Sequence, residues 1–512
     1  MCVPGAASPV HSSSVRLTDG ARIPYNEIPA ARLCKEFPTH AVQSRNPYNK
    51  ICRRRERNIA ISEKRPHIVI VGGGFAGANL TRLLQKRAKF ADVTLVSEES
   101  YTTFNPMLAE VVGATVFPEH VVAPLRATVG RARFVMGTVG NVDFGRKRLV
   151  CDTLKRQVEI EYDHLVLAFG NRARFDLIAG MAEHAVVLKT VGDAMHIRNL
   201  VLRRLAQIEL EDDPALRKCL GHFVVVGGGF SGVEVAGAVA DSLREIRRYY
   251  PRVAADELKV TLLQSVDRLL VELPPSLGKA AERSLTSRGV EVMTMTGASA
   301  INARDVRLND GRVLAAATTI CTIGTMPNAL TSRLTSLPTE RGRIVCQADL
   351  SVAGASGVWA VGDCALIMNG GDGPAPPTAQ FAIAEAKHLA KNIVAQSRGR
   401  ATQPFMYRAR GMMATVGHLK GVARIFGIQL TGLPAWMLWR AYYLSQMPTL
   451  GRKLRIFVEW SWGMFFPPDI THFRFTRSHE LLDSDKEGVM PGQQTHASAL
   501  SAIRLKTTGI HF

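Results

Sequence analysis

The sequence predicts an α/β protein in which one parallel-sheet unit is inserted into another. Two segments, 67–84 and 222–239, repeat one pattern of an apolar strand, a glycine turn and a helix. A second strand-like run follows each of them and completes a βαβ half. Strand-like segments at 164–170 and 357–365 flank the second copy, and this order along the chain indicates the insertion.

Length and composition agree with an ordinary α/β protein of more than one domain. The chain has 512 residues, more than one hydrophobic core usually supports, and 46% of them are hydrophobic. The longest apolar candidate for a membrane span, 425–439, contains Pro434 and stops at Arg440, so it is too short. The first residues lack the charged and apolar regions of a secretory signal. We therefore expect a globular protein without a spanning helix.

Charge and cysteine content narrow the chemistry. The formal net charge of +20 predicts an anionic partner or an anionic surface. The eight cysteines are scattered, without a CxxC pair and without a cluster with histidine. This spacing predicts reduced, buried thiols and no metal site, and it excludes the redox-active cysteine pair of disulfide reductases.

The two glycine turns have the spacing of phosphate-binding turns. Each reads Gly-x-Gly-x-x-Gly, at Gly72, Gly74 and Gly77 in the first copy and at Gly227, Gly229 and Gly232 in the second. The first glycine permits the tight turn, the second lets the backbone approach a pyrophosphate, and the third lets the helix pack on the strand. Free N–H groups at the helix N-terminus favour the phosphates. The sequence therefore predicts two Rossmann-like dinucleotide-binding domains.

The residue at the end of the second strand distinguishes the two copies. In the first copy Glu98 or Ser97 is placed to bind a ribose 2′-hydroxyl, whereas Gln264 occupies the matching position in the second. An amide does not repel the 2′-phosphate of NADPH, and Arg268 is placed to pair with it, so NADH and NADPH are both compatible with the second turn. The alternative is that Gln264 simply faces solvent.

Further segments resemble those of the two-dinucleotide-binding flavoproteins, which have a glutathione-reductase-like fold, and among them the type II NADH:quinone dehydrogenases. Besides HIVIVGGGFAG, they are FNPMLAEVV (104–112), LVLAFG (165–170), TICTIGTMPN (319–328), VWAVGDCA (358–365) and PPTAQFAIAEAKHLAKNI (376–393). The resemblance covers roughly residues 66–477. It implies an FAD-dependent enzyme that takes hydride from NADH or NADPH and passes the electrons to a membrane quinone, without proton pumping.

Composition and the resemblance together predict the domain organisation. The expected parts are a disordered basic extension (1–65), an FAD-binding domain (66–175 and 320–396) with the NAD(P)H-binding domain (176–319) inserted into it, a C-terminal amphipathic membrane-associating segment (397–477) and a polar tail (478–512).

The resemblance also assigns residues to the two nucleotides. For FAD they are Gly72, Gly74, Phe75, Ala76, Gly77, Ser97, Glu98, Asn105, Pro106, Ala168, Gly170, Gly324, Gly362, Asp363, Ala379 and Gln380. For NADH or NADPH they are Gly227, Gly229, Phe230, Ser231, Gly232, Glu234, Gln264 and Arg268. Asp363 is expected to bond the ribitol or phosphate region of FAD, because a carboxylate at a strand end suits neighbouring hydroxyls, although an aspartate there also caps a following helix.

Three residues are predicted to be catalytic: Glu234, Gln380 and Glu385. By the resemblance Gln380 lies near the flavin ring, and Glu234 lies near the nicotinamide and the acceptor. An acid in the first turn of a helix also simply complements the helix dipole, and this alternative stays open. The family's second glutamine falls on Ala384, beside Glu385. Quinone reduction consumes two protons, for which His418 and Lys420 are further candidate suppliers.

The C-terminal segment combines positive charge with tryptophan. Residues 398–477 contain twelve Lys or Arg against two acids, and four of the five tryptophans of the chain: Trp436, Trp439, Trp460 and Trp462. Because Trp prefers the headgroup boundary and basic residues attract anionic lipid, 433–444 and 452–466 are predicted to be interfacial helices. We expect a peripheral protein on the cytoplasmic face of an inner or plasma membrane. The alternatives are a homodimer interface or a cap on the flavin domain.

Other functions remain open at this point. A sulfide:quinone oxidoreductase shares the fold, but Cys321 and Cys364 do not form the cysteine pair it needs. Another NAD(P)H-dependent flavin reductase is a second alternative. A basic nucleic-acid-binding flavoprotein is the third, and its binding would depend steeply on salt. Tryptophans at helical spacing within the basic segment favour lipid, so we expect no nucleic-acid partner.

Overall fold

The computed structural model describes residues 65–447 and 449–473, together with two short strands near the N-terminus. The chain divides into an N-terminal extension, residues 1–64, and a main body, residues 65–512. In the extension β1 (Ser14–Arg16) pairs antiparallel with β2 (Arg22–Pro24). These strands lie inside the extension that the sequence predicts to be disordered. The rest of residues 1–64, and the predicted polar tail 478–512, lie outside the described residues.

The main body is a mixed α/β structure, in which an inserted unit, residues 174–324, interrupts a first unit that lies on either side of it in sequence. Its strands are β3 (His67–Val71), β4 (Asp92–Ser97), β5 (Tyr101–Thr103), β6 (Val122–Pro124), β7 (Arg133–Asp143), β8 (Arg148–Thr153), β9 (Gln157–Glu161), β10 (His164–Leu167), β11 (Asn171–Ala173), β12 (Ala185–Val187), β13 (His222–Val226), β14 (Lys259–Leu263), β15 (Val290–Met293), β16 (Ala298–Ile301), β17 (Asp305–Leu308), β18 (Val313–Ala315), β19 (Thr318–Cys321), β20 (Thr325–Pro327), β21 (Thr339–Glu340), β22 (Arg343–Val345), β23 (Val358–Ala360), β24 (Ala365–Leu366), β25 (Gly411–Thr415), β26 (Gly421–Ile425) and β27 (Ile428–Gly432). Its α-helices are α1 (Phe75–Arg87), α2 (Leu108–Val112), α3 (Leu125–Thr128), α4 (Met181–His184), α5 (Val191–Leu210), α6 (Pro214–Leu220), α7 (Phe230–Ile246), α8 (Pro275–Thr286), α9 (Ala329–Arg333), α10 (Ala379–Gln396), α11 (Leu433–Gln446) and α12 (Leu450–Trp462).

The first large sheet has seven strands in the order β23-β10-β3-β4-β7-β8-β9. Its first five strands run parallel, and β8 and β9 extend β7 as an antiparallel meander. The strand β3 is an apolar run, HIVIV, with four of its five residues buried, as expected for a parallel strand that is covered on both faces. The helices α1 and α10 pack against each other and against this core.

The second large sheet is parallel throughout, in the order β12-β19-β13-β14-β15. All five residues of β13, HFVVV, are buried. The chain forms β10, then this sheet, then returns to form β23 beside β10, so the predicted insertion of one unit into the other is confirmed. The predicted domain boundary at residue 320 falls inside β19, whose hydrogen bonds to β13 continue to Cys321.

The two connections between these sheets pair with each other. The strand β11, where the chain leaves the first unit, is antiparallel to β20, where it returns. Asn171 lies opposite Pro327, and Ala173 lies opposite Thr325. The inserted unit is therefore joined to its host through one two-stranded ribbon.

The C-terminal part consists of an antiparallel three-stranded sheet, β25-β26-β27, followed by α11 and α12. The prediction of an interfacial side chain is wrong for Trp436, Trp439 and Trp460, which are 4%, 1% and 4% exposed. The rings of Trp439 and Trp460 pack against each other, and the guanidinium of Arg440 lies 3.7 Å from the Trp436 ring centroid and 4.8 Å from that of Trp460. Only Trp462 of the four is exposed. Within the described part of the chain, no helix combines the length and hydropathy needed to cross a bilayer.

Candidate active site

The main cavity, of about 1190 Å³, lies at the carboxyl ends of the first sheet's parallel strands. This edge is where open α/β sheets bind ligands, because loops from several strands meet there. Fourteen of the residues predicted to hold FAD line it: Gly72, Gly74, Phe75, Ala76, Ser97, Glu98, Asn105, Pro106, Ala168, Gly170, Gly362, Asp363, Ala379 and Gln380.

The first glycine turn is built for a close approach. Gly72 has φ +110°, and a Cβ on it would stand 2.3 Å from the carbonyl oxygen of Ala168. A Cβ on Gly77 would stand 1.9 Å from the carbonyl oxygen of Gly72, so this glycine packs the turn and does not line the cavity. Gly74, by contrast, has open space around its Cβ position and begins α1 without a side-chain cap. The turn, the helix N-terminus and the size of the cavity therefore fit the pyrophosphate of FAD.

The two candidates for the first ribose differ in position. Glu98 is exposed and pairs with Arg172 at 3.6 Å on the rim of the cavity. Ser97 is 8% exposed and packs beneath Gly73, where its Oγ would stand 2.6 Å from a Cβ on that glycine. Glu98 therefore has the more accessible side chain of the two.

The second glycine turn has the same backbone shape and a different neighbour. Gly227 has φ +109°, and a Cβ on Gly232 would stand 1.7 Å from the carbonyl oxygen of Gly227. Oε1 of Gln264 accepts the Gly228 N–H at 2.9 Å, and its Nε2 donates to the carbonyl of Arg268 at 3.1 Å. Gln264 thus holds the turn, and the alternative that it simply faces solvent is wrong.

Some residues near the second turn line the main cavity and also a smaller cavity. Phe230, Ser231 and Glu234 line the main cavity, whereas Gly227, Gly229, Gly232, Gln264 and Arg268 do not. A second cavity of about 180 Å³ is shared between the two units and is lined by Asn105, Lys189, Ser231, Glu234, Cys321 and Gly324, among others. Gly324, which was assigned to FAD from the sequence, lies here and not in the main cavity. The structure therefore brings the start of α7, and not the glycines of the second turn, to the cavities.

Glu234 is buried where the cavities meet. It is 8% exposed, its Oε1 accepts the Thr415 N–H at 3.1 Å, and it also lines a third cavity of about 320 Å³ on the other side of α2. Burial raises the pKa of Glu234 to about 8, despite the hydrogen bond from Thr415. Its carboxyl group therefore holds a proton near neutral pH.

Glu385 lies behind the main cavity and lines none of the three cavities. It is 3% exposed, and its Oε2 accepts the Gly362 N–H at 2.7 Å. Burial raises its pKa to about 7. The structure places Glu385 as a support for the turn that carries Asp363, and does not bring it to the cavity.

Gln380 forms part of the wall between the first sheet and the C-terminal part. Its Oε1 accepts the Tyr407 hydroxyl at 3.1 Å and the Arg410 N–H at 2.9 Å, and its Nε2 donates to the Gly411 carbonyl at 3.2 Å. Beyond it the cavity continues along an apolar and aromatic wall formed by Met412, Met413, Tyr442 and Tyr443. Of the other proton candidates, His418 lines the third cavity, and Lys420 is exposed and lines none.

Two charged groups at the site were not predicted from the sequence. Lys189 lines both the main and the smaller cavity, and Arg440 pairs with Glu110 at 3.7 Å beside the third. Lys189 stands two residues after β12, a short, partly buried strand that ends at the carboxyl edge of a parallel sheet, and this position is the signal that could have identified it. Arg440 lies within an aromatic helix, and nothing in that local pattern marks it as buried.

The described cysteines do not form a redox centre. Cys151, Cys219, Cys321, Cys346 and Cys364 are all buried and unpaired. Burial raises the pKa of Cys321 and of Cys364 to about 12, so neither is a thiolate at neutral pH. The described residues also contain no cluster of His, Cys, Asp and Glu that could hold a metal ion.

Comparison with known proteins gives a consistent result. The family model described as pyridine nucleotide-disulphide oxidoreductase matches residues 66–386. The chain is 28% identical over 418 residues to a type II NADH:quinone oxidoreductase of Mycobacterium tuberculosis, covering 79% of this chain and 88% of the relative. It is 28% identical over 447 residues to an internal alternative NAD(P)H-ubiquinone oxidoreductase of Solanum tuberosum, covering 80% and 88%.

The solved structures agree on the fold. NDH2 from Plasmodium falciparum in complex with NADH matches with a TM-score of 0.75 at 18% identity, covering 80% of this chain and all of that one. A sulfide:quinone oxidoreductase from Aquifex aeolicus matches with a lower TM-score, 0.59, at 16% identity, over 80% of this chain and all of that one.

Proposed function

We propose that this chain, which belongs to the pyridine nucleotide-disulphide oxidoreductase family, is a type II NADH:quinone oxidoreductase. The observation that carries this function is that α7, the helix that begins within the second glycine motif, reaches the cavity of the first: Ser231 and Glu234 line the cavity that the first turn opens. FAD, when bound, supplies the redox chemistry, taking two electrons from the nicotinamide nucleotide and passing them to the acceptor. The protein binds, orients and supplies protons.

The residues of the first unit would hold FAD. The N–H groups around Gly74 would bind the pyrophosphate, and Glu98 would accept a hydrogen bond from a ribose hydroxyl. Asp363 lines the same cavity, and burial raises its pKa while Lys189 and Arg343 oppose the rise. A carboxylate there accepts hydrogen bonds from the ribityl hydroxyls.

The second turn would hold the nicotinamide nucleotide, with its reactive end in the smaller cavity. Ser231 and Glu234 line that cavity beside Asn105, which belongs to the first unit. Gln264 contributes no negative charge near the second turn, so NADPH as well as NADH is compatible with the site. The half-buried Arg268 donates to the Val271 carbonyl at 3.0 Å and is available to a 2′-phosphate only after this bond breaks.

The aromatic wall beyond Gln380 would receive the quinone. Met412, Tyr442 and Tyr443 offer apolar surface to a ring and its tail, and the Gln380 amide holds the segment that carries Met412. Oxidation of NADH by a quinone consumes one proton more than the nucleotide provides. Glu234, whose carboxyl holds a proton near neutral pH, is the buried acid placed to supply it.

Attachment to a membrane surface would use the outer face of α12. Leu450, Leu454, Phe457 and Trp462 are between 56% and 82% exposed there. Arg455 is exposed on the same helix, and such a mixture of apolar and basic side chains suits an anionic headgroup layer. This proposal replaces the buried tryptophans with an aliphatic and aromatic patch. A cytoplasmic face and a homodimer remain predictions.

Rapid-mixing reduction tests the function. We expect NADH to bleach the bound flavin, and decylubiquinone to restore its absorbance, in each case faster than steady-state turnover. NADPH, run in parallel, sets the nucleotide preference. Bleaching by sulfide and not by NADH would contradict the proposal and favour a sulfide:quinone oxidoreductase.

Vesicle flotation tests the attachment separately. We expect the double variant Leu454→Glu, Phe457→Glu to lose most of its binding to vesicles that contain anionic lipid. Leu154→Glu, which removes an exposed leucine of the first unit, is the matched control and should float like the wild type. Equal flotation of all three proteins would exclude this patch.

A further inference from the structure

Lys189 extends from the inserted unit towards the first unit. It follows β12 and precedes Thr190, the N-cap of α5. Its backbone N–H donates to Oδ2 of Asp193 at 2.9 Å, and the hydroxyl of Thr190 accepts the Asp193 N–H at 3.1 Å. This capping box fixes the backbone at the point where the lysine side chain begins.

The partners of the Lys189 ammonium belong to the first unit. Its Nζ donates to Oδ1 of Asn171 on β11. Burial lowers the pKa of Lys189, and the carboxylate of Asp363 opposes this effect. An ammonium withdrawn from water is costly unless a partner offsets the loss of hydration, and one amide and one carboxyl group are a modest compensation. A positive charge that is retained there despite the lost hydration indicates a functional role for Lys189.

The position of Lys189 shows which cavities its positive charge faces. Three cations line the described main cavity: Arg172, Lys189 and Arg333. Arg172 pairs with Glu98 on the rim, and Arg333 is exposed. Lys189 alone of the three also lines the smaller cavity, together with Glu234. It is thus the cation at the place where the two nucleotide sites meet.

We propose that Lys189 provides the fixed positive charge that raises the midpoint potential of bound FAD at the junction of the two cavities. This inference rests on the proposed function, since it requires FAD in the main cavity. A positive charge held beside a redox group stabilises its reduced, electron-rich state. The protein fixes this charge in place as it folds, so no reorganisation is needed when the electrons arrive. The negative charge of Asp363 opposes the effect on one side of the junction only, since Asp363 lines the main cavity alone whereas Lys189 lines both cavities.

Anaerobic spectroelectrochemistry of the full-length, FAD-loaded protein tests the role. Redox dyes serve as mediators, so neither NADH nor quinone is needed. Lys189→Met removes the charge, and Lys189→Gln removes it while keeping a donor for Asn171, in case the methionine variant fails to fold. We expect each to lower the equilibrium constant for flavin reduction about tenfold, which is about 30 mV more negative for a two-electron couple.

Two control variants separate charge from structure. Lys189→Arg keeps the charge and should keep the wild-type potential. Lys218→Met removes an exposed lysine on α6 and should also leave the potential unchanged. A change in thermal stability without a change in potential would show a merely structural role and overturn the inference. A change confined to the KM for NADH would overturn it as well.

The outcomes also distinguish this inference from the function on which it rests. FAD bound in the neutral variants at an unchanged potential overturns the role of Lys189 and leaves the oxidoreductase intact. Wild-type protein that binds no FAD overturns both.

Discussion

The two glycine turns share one backbone shape and differ in what surrounds them. Gly72 and Gly227 have φ of +110° and +109°, and the third glycine packs on the first carbonyl in each. The first turn opens directly into the large cavity, whereas the second is held by Gln264 and reaches that cavity only through the start of α7. A repeated motif therefore specifies a phosphate site, and the residues around it specify the nucleotide.

The third glycines give the largest expected difference between the turns. Gly77→Ala and Gly232→Ala each put a Cβ within 2 Å of a backbone oxygen, so both turns must distort. We expect Gly77→Ala to lose bound flavin and, with it, more than about 100-fold in activity, since a few kcal/mol of strain gives such a factor. We expect Gly232→Ala to keep the flavin and to lose its reduction by NADH to a similar extent.

Flavin absorbance after gel filtration, and photoreduction of the retained flavin, measure these two effects. If Gly232→Ala also released the flavin, or if Gly77→Ala kept it, the assignment of FAD to the first turn and of NADH to the second would be wrong.

The next expected difference concerns the residue two positions after the third glycine of each turn. This position is Asn79 in the first helix, where the amide donates to the Phe75 carbonyl at 2.8 Å, and Glu234 in the second. We expect Glu234→Gln to lower quinone turnover by about 10- to 100-fold, as for loss of a general acid. Ferricyanide takes no proton, so ferricyanide reduction should change little. Asn79→Asp is the comparison variant, and it should leave the ratio of the two activities unchanged.

The pH dependence follows from the raised pKa of Glu234. Wild-type quinone turnover should fall as the pH rises through about 8, where the carboxyl loses its proton, and the glutamine variant should lack this step. The folding stability of the wild type also falls as the pH rises. Between about pH 4.5, the value of an unperturbed glutamate, and pH 8 the folded state holds a proton that the unfolded state has lost. The wild type therefore loses at most roughly 1.4 kcal/mol per pH unit there.

Denaturant unfolding of the wild type and of Glu234→Gln at pH 5 and pH 8 measures this loss. The glutamine variant should gain relative to the wild type as the pH rises. A constant difference between the two proteins would show that Glu234 titrates normally in the folded state.

Gln264, which follows β14 beside the second turn, gives a smaller expected effect on activity. Gln264→Glu keeps an acceptor for the Gly228 N–H and adds a negative charge. We expect the ratio of kcat/KM for NADPH to that for NADH to fall about tenfold, which corresponds to about 1.4 kcal/mol of repulsion. An unchanged ratio would mean that the 2′-position lies away from residue 264.

Glu98, which follows β4 beside the first turn, gives the smallest expected effect, on the binding of FAD. Glu98 is an exposed acid whose partner Arg172 is also half exposed, and such pairs contribute between zero and about 1 kcal/mol. Glu98→Gln should therefore change the FAD dissociation constant by no more than about fivefold, measured by titration of the apoprotein. A much larger loss would show that bound FAD buries the Glu98 carboxylate away from water where it contacts the ribose.

The sequence was sufficient to predict the local motifs and their order. Strand, turn and helix follow from short-range periodicity, and the insertion follows from the order of the flanking strands. The placement of Trp436, Trp439 and Trp460 did not follow, because a ring that packs inside a protein and one that lies in a lipid boundary need the same apolar neighbours in sequence. Lys189 was missed, and Glu385 was expected at the cavity, for a related reason: their positions depend on Asn171 and Gly362, which are close to them in space and distant along the chain.

The ribbon formed by β11 and β20 has a consequence for protein engineering. Neighbouring strands lie about 5 Å apart, so the inserted unit begins and ends at nearly one point. A cassette of residues 174–324 from another chain with the same ribbon can in principle replace it without redirecting the host. Such grafts would exchange the electron donor of the enzyme, provided that the incoming chain also carries an acid at the position of Glu234.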